Sequence, residues 1–198
     1  DKALVGIIDT GINIHHETFL DSEGKTRIMA IWDQTDDSGP EPEGRSFGTE
    51  YTEHDINALI DSETCVSGLS IKHGTAVASI AAGQPTSHFV GGVAPESKIL
   101  VVIPKIRVDS QYPFSLGYSN SHLEALRYIS DKAQQLSLPV AINISQGMNA
   151  GAHDGTSLLE KGFDNCTHNG QNPGVIIVKS AGNERCYGGH ARFQMRSN

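Results

Sequence analysis

At 198 residues the chain has room for one domain with its own core, and too little for two comfortable ones. A formal net charge of −8 argues against nucleic acid or an anionic membrane surface as a partner, and no apolar run approaches the roughly 18 residues of a membrane span. The three cysteines, Cys65, Cys166 and Cys186, are odd in number and contain no C-x-x-C pair, so neither a disulfide framework nor a four-cysteine zinc site is expected.

The chain opens almost directly on Leu4-Val5-Gly6-Ile7-Ile8-Asp9-Thr10-Gly11, with no signal peptide visible ahead of it. Five residues without polar side chains suit a strand buried on both faces, as in a parallel sheet. Asp9 then stands at the carboxyl end of that strand, where open α/β sheets place their chemistry. The polar stretch that follows carries His15 and His16, read as loop residues and not as metal ligands. Arg27-Ile28-Met29-Ala30-Ile31-Trp32-Asp33 is a second strand candidate, and residues 34–48, rich in Gly, Pro, Ser and acid, read as loop.

Thr52-Glu53-His54-Asp55 is a capping box with Asp in place of the usual Glu or Gln, and it predicts a short helix over about residues 53–61. Residues 73–82 predict a slim helix of mostly small side chains, able to pack close to other backbone, with Gly83 and Pro85 behind it as stop signals. Gly91-Gly92-Val93-Ala94-Pro95 is a turn, and Lys98-Ile99-Leu100-Val101-Val102-Ile103 another apolar strand. Ser121-His122-Leu123-Glu124 reads as a capping box opening a helix with Leu123, Leu126, Ile129, Ala133 and Leu136 on one face, ended by Pro139. A strand over 140–145, a capped helix from Ser157 to about Thr167, and a strand over 174–179 complete the pattern. Strands at about 3–8, 98–103, 140–145 and 174–179 alternating with helices predict an α/β fold: a doubly wound, mostly parallel sheet with helices on both faces. Asp9, Ser145 and Asn183 each fall at or just past a strand's carboxyl end.

Three segments in order, Val5-Gly6-Ile7-Ile8-Asp9-Thr10-Gly11, His73-Gly74-Thr75-Ala76-Val77-Ala78 and Ser180-Ala181-Gly182-Asn183-Glu184, resemble the subtilisin-like serine proteases, the subtilases. Gly92-Val93-Ala94-Pro95 and the Ile142-Asn143-Ile144-Ser145 strand extend the resemblance along the whole chain. It implies a three-layer α/β peptidase domain acting on protein or peptide substrates through a Ser-His-Asp triad. Asp9 would be the orienting acid, His73 the general base and Asn183 the side-chain donor to the oxyanion. Ser145-Gln146-Gly147 and Ala181-Gly182 would form backbone walls of the specificity pocket, with Gln146 less apolar than the usual residue there. Calcium sites are common in the family, but the loop 84–91 has no carboxylate and no ion can be assigned.

A subtilase nucleophile follows the oxyanion Asn in a Gly-Thr-Ser-x-Ala segment, and the residues after Asn183 contain none. Gly155-Thr156-Ser157 precedes Asn183, and Glu160 three residues on marks Ser157 as a helix N-cap and not a nucleophile. The expectation is therefore residues 1–198 as a partial peptidase domain with acid, base and oxyanion donor but no serine. Further strands would pack beside the 174–179 strand, and self-association through that edge is expected without them. The long separation of Asp9 from His73, with an insertion at about 33–70, and the segment from Gly151 to Glu160 resemble the clostridial spore-germination branch. That implies a bacterial protein, secreted or spore-associated, whose relatives cleave a precursor of a cortex-degrading enzyme. Two rivals are weighed: an inactive scaffold of the same fold, and an aspartic protease using Asp9-Thr10-Gly11 with Asp37-Ser38-Gly39. The second tripeptide lies in a Pro-rich loop too close in sequence for two lobes, and the chain alternates β and α where aspartic proteases are mostly β.

Overall fold

A computed structural model describes residues 3–106, 118–147, 152–183, 185, 186, 188 and 194. Among the described residues, six strands and four α-helices run in the order β1 (Leu4–Ile8), β2 (Ile28–Asp33), β3 (Thr49–Thr52), α1 (Glu53–Asp61), α2 (Lys72–Ala82), β4 (Lys98–Ile103), α3 (Tyr118–Gln135), β5 (Val140–Ile144), α4 (Leu158–Cys166) and β6 (Val175–Lys179). Single 3-10 turns sit at Glu17–Phe19 and Ser67–Ser70. The sheet order is β3-β2-β4-β1-β5-β6, parallel throughout except for the antiparallel β2–β3 pair.

β1 lies between β4 and β5 and is buried along its length, as its continuous apolar run requires. Successive side chains point to opposite faces, so Leu4 and Ile8 enter one core and Val5 and Ile7 the other. The first core holds Leu126, Ile129 and Ala133 of α3 together with Trp32 and Tyr128, whose ring centroids are 5.3 Å apart. The second holds Ala78 and Ala82 of α2 with Ile56 of α1. Gly6 admits α3 closely: a Cβ there would stand 2.9 Å from the Ile129 methyl. The sheet therefore has helices on both faces, as expected.

Three local readings change. Strand β3 has no counterpart in the sequence pattern, being four residues long with a charged centre. Tertiary partners make it: it pairs with β2, and Glu50 accepts the Tyr128 hydroxyl at 2.6 Å and pairs with Lys132 at 2.7 Å. The Ser121 capping box does not form, because α3 begins three residues earlier at Tyr118. Ser121 is buried in the first turn and its hydroxyl donates across to the Lys105 carbonyl at 2.7 Å. Leu136 lies past the end of α3 and is exposed, while Ser137 turns the chain with a positive φ of 54°.

Other boundaries hold for stated reasons. Thr52–Asp55 and Ser157–Glu160 are both reciprocal capping boxes. Gly83 ends α2 in extended backbone, and what demands glycine there is space: a Cβ would lie 2.4 Å from the Thr18 hydroxyl. The C-terminus of α2 is held by Arg27, only 4% exposed, whose guanidinium donates to the carbonyls of Ala82 at 2.8 Å and Ser97 at 2.5 Å and, more weakly, Thr18 at 3.4 Å. Over β5 and β6 one face packs on α3 and α4, while on the other Ala141, Ile176 and Val178 are exposed. Cys65, Cys166 and Cys186 are all free thiols.

Candidate active site

The residue after β1, Asp9, is fully buried, and its backbone N–H donates to Val102 of β4 at 3.2 Å. Its Oδ1 receives three bonds: the Thr10 N–H at 2.7 Å, the Thr10 hydroxyl at 3.2 Å and the imidazole Nδ1 of His73 at 2.7 Å. Oδ2 is buried without a hydrogen-bond partner among the described residues. An ionised carboxylate only accepts, so this geometry places the imidazole proton on Nδ1 and leaves Nε2 with its lone pair. The His73 side chain is 60% exposed while Asp9 is closed off, so the pair presents a basic nitrogen to solvent from a buried anion.

His73 reaches Asp9 from the first turn of α2, a different layer of the fold, and its two neighbours make this possible. A Cβ on Gly74 would stand 2.0 Å from the Gly11 carbonyl oxygen and 3.1 Å from Asp9 Cβ, so only glycine lets the helix start approach the loop after β1. The Thr75 hydroxyl donates to the Ile71 carbonyl at 2.6 Å and accepts the Asn13 N–H at 2.7 Å, tying helix start and loop together. Gly74 and Thr75 belong to the segment that marked His73, and their positioning role is legible only once the two layers touch.

The segments expected to form pocket walls lie together. Ser180 N–H continues the β5–β6 pairing by donating to the Ile144 carbonyl at 3.1 Å, and the Lys179 ammonium donates to the Gln146 carbonyl. The half-buried Ser145 accepts the Asn143 amide at 2.9 Å, Gly147 is exposed, and Ala181 and Gly182 are exposed with Gly182 at φ 91°. Gln146 points its Oε1 to His122 Nε2 at 2.9 Å, and its own amide nitrogen is buried without a described partner. Asn183 is exposed four residues past β6, at the same edge of the sheet as Asp9, with β5 between the two strands. No described hydrogen bond joins it to Asp9 or His73.

A cleft of about 610 Å³ is lined by Thr10, which follows Asp9, by Ile71, two residues before His73, and by Gln146. Asp33 at the end of β2 also reaches it, as do Thr35 and Asp36 from the stretch read as loop. Asp36 accepts the Ser38 N–H and the Tyr51 hydroxyl, each at 2.9 Å. Hydrogen bonds from Ser38, then Tyr51 and Thr49, hold its carboxyl below the usual carboxylate range against the opposing effect of burial. Burial and that same bond push the Tyr51 hydroxyl above its ordinary value. Asp37, the rival partner for an aspartic-type pair, is engaged by the Gly48 N–H at 2.8 Å and Lys105 at 3.3 Å, with no described bond to Asp9. Among the described residues no group of three or more His, Cys, Asp or Glu side chains could hold a metal ion.

The chain is similar in sequence and fold to known proteins. A subtilisin of Bacillus sp. (strain TA39) is 27% identical over 186 residues, covering 93% of this chain and 34% of that protein. The structure of the Clostridium perfringens CspB protease matches with a TM-score of 0.74 and 33% identity, over 92% of this chain and 36% of that one. The psychrophilic protease S41 shares the fold, with a TM-score of 0.56 and 24% identity over 93% of this chain and 47% of that one. The chain thus spans about a third of the length of the first two. The family model for the S8 peptidases, described as the subtilase family, matches residues 1–197. With a buried strand-end aspartate bonded to a helix-start histidine at its centre, this chain belongs to the subtilase family of serine proteases.

Proposed function

We propose that this chain supplies the acid–base half of a Ser-His-Asp peptidase acting on protein or peptide substrates. The observation that carries the reading is the 2.7 Å bond from His73 Nδ1 to a fully buried Asp9, with the imidazole otherwise open to solvent. In the reaction, Nε2 of His73 takes the proton of a serine hydroxyl as its oxygen attacks the scissile carbonyl. Asp9 holds the tautomer and stabilises the imidazolium that forms; the same proton then passes to the leaving amine. Asn183 is the proposed amide donor to the oxyanion, a contact whose loss costs about 10²–10³ in rate in hydrolases of this type. Ser145-Gln146-Gly147 and Ala181-Gly182 are the proposed walls for the substrate backbone.

The nucleophile is not assigned to this chain. Ser157, the one tempting candidate, caps α4: its hydroxyl accepts the Glu160 N–H at 3.2 Å while Glu160 accepts the Ser157 N–H at 3.0 Å. The likeness to the CspB protease supports placement in the clostridial spore-germination branch, hence a bacterial protein, secreted or spore-associated.

Two measurements test this. Nitrogen-15 NMR on the 198-residue chain should show His73 protonated at Nδ1 when neutral, with that tautomer preference lost in Asp9→Asn. In a form of the protein carrying a serine in a Gly-Thr-Ser-x-Ala segment, a fluorophosphonate should label that serine. His73→Ala should cut the labelling rate by about 10³ or more. Labelling and hydrolysis indifferent to His73 and Asp9 would overturn the proposal, and a form without such a serine would be the inactive scaffold.

A further inference from the structure

The cleft beside Asp9 and His73 has a charge pattern that catalysis does not use. Two carboxylates line it, Asp33 and Asp36, and neither forms a salt bridge with any described cation. Asp33 is only 2% exposed. Its Oδ1 accepts the Thr35 N–H at 2.8 Å and the Thr35 hydroxyl at 2.6 Å, while Oδ2 has no hydrogen-bond partner among the described residues. Oδ2 faces Gly68, itself on the cleft wall: a Cβ there would stand 2.6 Å away. The missing side chain at residue 68 therefore leaves the carboxylate reachable from the cleft. Asp36 is held ionised by neutral donors, Ser38 and Tyr51, which satisfy its hydrogen bonds without neutralising its charge.

A buried, uncompensated carboxylate is costly, and a second one nearby raises the cost. Lys105, between the lining residues Pro104 and Ile106, pairs with Asp37, and Lys179 donates to the Gln146 carbonyl. The rest of the wall is uncharged: Val66, Ile71, Ile103, Pro104 and Ile106 are apolar, and Thr10, Thr35, Ser67 and Gln146 add neutral polar groups. A cleft whose wall joins five apolar side chains to two carboxylates and no cation matches a side chain with a hydrocarbon stem and a cationic head. A metal ion fits less well, since the described residues offer no cluster of three metal-ligating side chains.

We propose that this cleft binds a lysine or arginine side chain of the peptide substrate, with Asp33 and Asp36 as its specificity-determining carboxylates. The proposal rests on reading the chain as part of a peptidase, but the site itself needs no nucleophile to bind. The test uses fluorescein-tagged alanine hexapeptides with one Lys, norleucine or Glu placed at each position in turn. Binding to the 198-residue chain is followed by fluorescence anisotropy. At one position Lys should bind at least about tenfold tighter than norleucine and Glu weaker than both, with the Lys advantage shrinking as salt is raised. Asp36→Asn, checked for folding by circular dichroism, keeps one acceptor oxygen for the Ser38 N–H and sets an amide NH2 opposite the Tyr51 hydroxyl, which can accept from it, and should reduce the Lys advantage to within about twofold. Asp36→Glu should restore part of it. A Lys peptide that binds no better than norleucine at any position overturns the proposal, as does a preference untouched by Asp36→Asn. Fluorophosphonate labelling reads the peptidase assignment separately, so failure of one is distinguishable from failure of the other.

Discussion

Gly74→Ala is the sharpest test of how this fold places His73, the proposed base. The added Cβ would lie 2.0 Å from the Gly11 carbonyl oxygen, and real Cβ atoms essentially never come under 3.0 Å of another heavy atom. The partner is backbone, in a loop whose neighbour Asp9 is pinned to β4 through its N–H, so no side chain can swing aside. The start of α2 must therefore move by about 1 Å, and His73 moves with it. The Nδ1–Oδ1 separation of 2.7 Å then opens beyond hydrogen-bond range. Overpacking of this kind costs about 1–3 kcal/mol, and the lost bond to a charged group about as much again. Urea denaturation should show a stability loss of about 2–5 kcal/mol, and NMR the loss of the Asp9-dependent Nδ1 tautomer of His73. Ala76→Ser, on the exposed side of the same turn, is the control and should stay within about 0.5 kcal/mol of the parent. A Gly74→Ala chain of parental stability with its His73 tautomer intact would refute the close-approach argument.

Further outcomes follow from single side chains. Arg27→Met strips the donor from three backbone carbonyls and frees the C-terminus of α2; the urea midpoint should fall by the equivalent of about 2–4 kcal/mol, and a neutral result would show those carbonyls find other partners. Ser157→Ala should cost about 1 kcal/mol as a lost cap and leave fluorophosphonate reactivity unchanged, whereas stoichiometric labelling at Ser157 would contradict its assignment. The Asp36 carboxyl is depressed in the folded chain, so its contribution to stability is full above the ordinary carboxylate value and is lost as pH falls through the lower folded value. Urea midpoints taken from about pH 6 down to about pH 3 should fall, and Asp36→Asn should flatten part of that slope. The exposed face of β5–β6, with Ile176 at 62% and Val178 at 54% exposure, should drive concentration-dependent association in sedimentation experiments, reduced by Ile176→Lys; a monomer at high concentration would count against it.

The parts of this protein set by local chemistry were legible in the chain. β1, β4 and β5 are continuous apolar runs because strands buried on both faces need them. The caps at Thr52 and Ser157 are satisfied within four residues, so their signal is complete in the sequence. Asp9 and His73 were legible for a different reason: each is the centre of a short motif, and the motifs resemble a known family in type and order.

What the tertiary structure decided are the features whose partners lie far along the chain. β3 exists because β2, Tyr128 and Lys132 engage its residues, none of which a local pattern can announce. Ser121 has the spacing of a cap, but burial turns its hydroxyl toward Lys105. Arg27 looks like an ordinary strand-edge cation until three carbonyls from separate segments converge on it. Asp33 and Asp36 sit in and beside a stretch that reads as polar loop, and only the packing of β2 and β4 beside the 66–71 segment makes them the anionic lining of a cleft. Local sequence determines the apolar strands β1, β4 and β5, the capped helices α1 and α4, and the choice of the proposed acid and base, since these depend on neighbours a few residues away. The 2.7 Å contact between Asp9 and His73 depends on a helix and a strand from different layers meeting across a glycine, and that is a property of the folded chain.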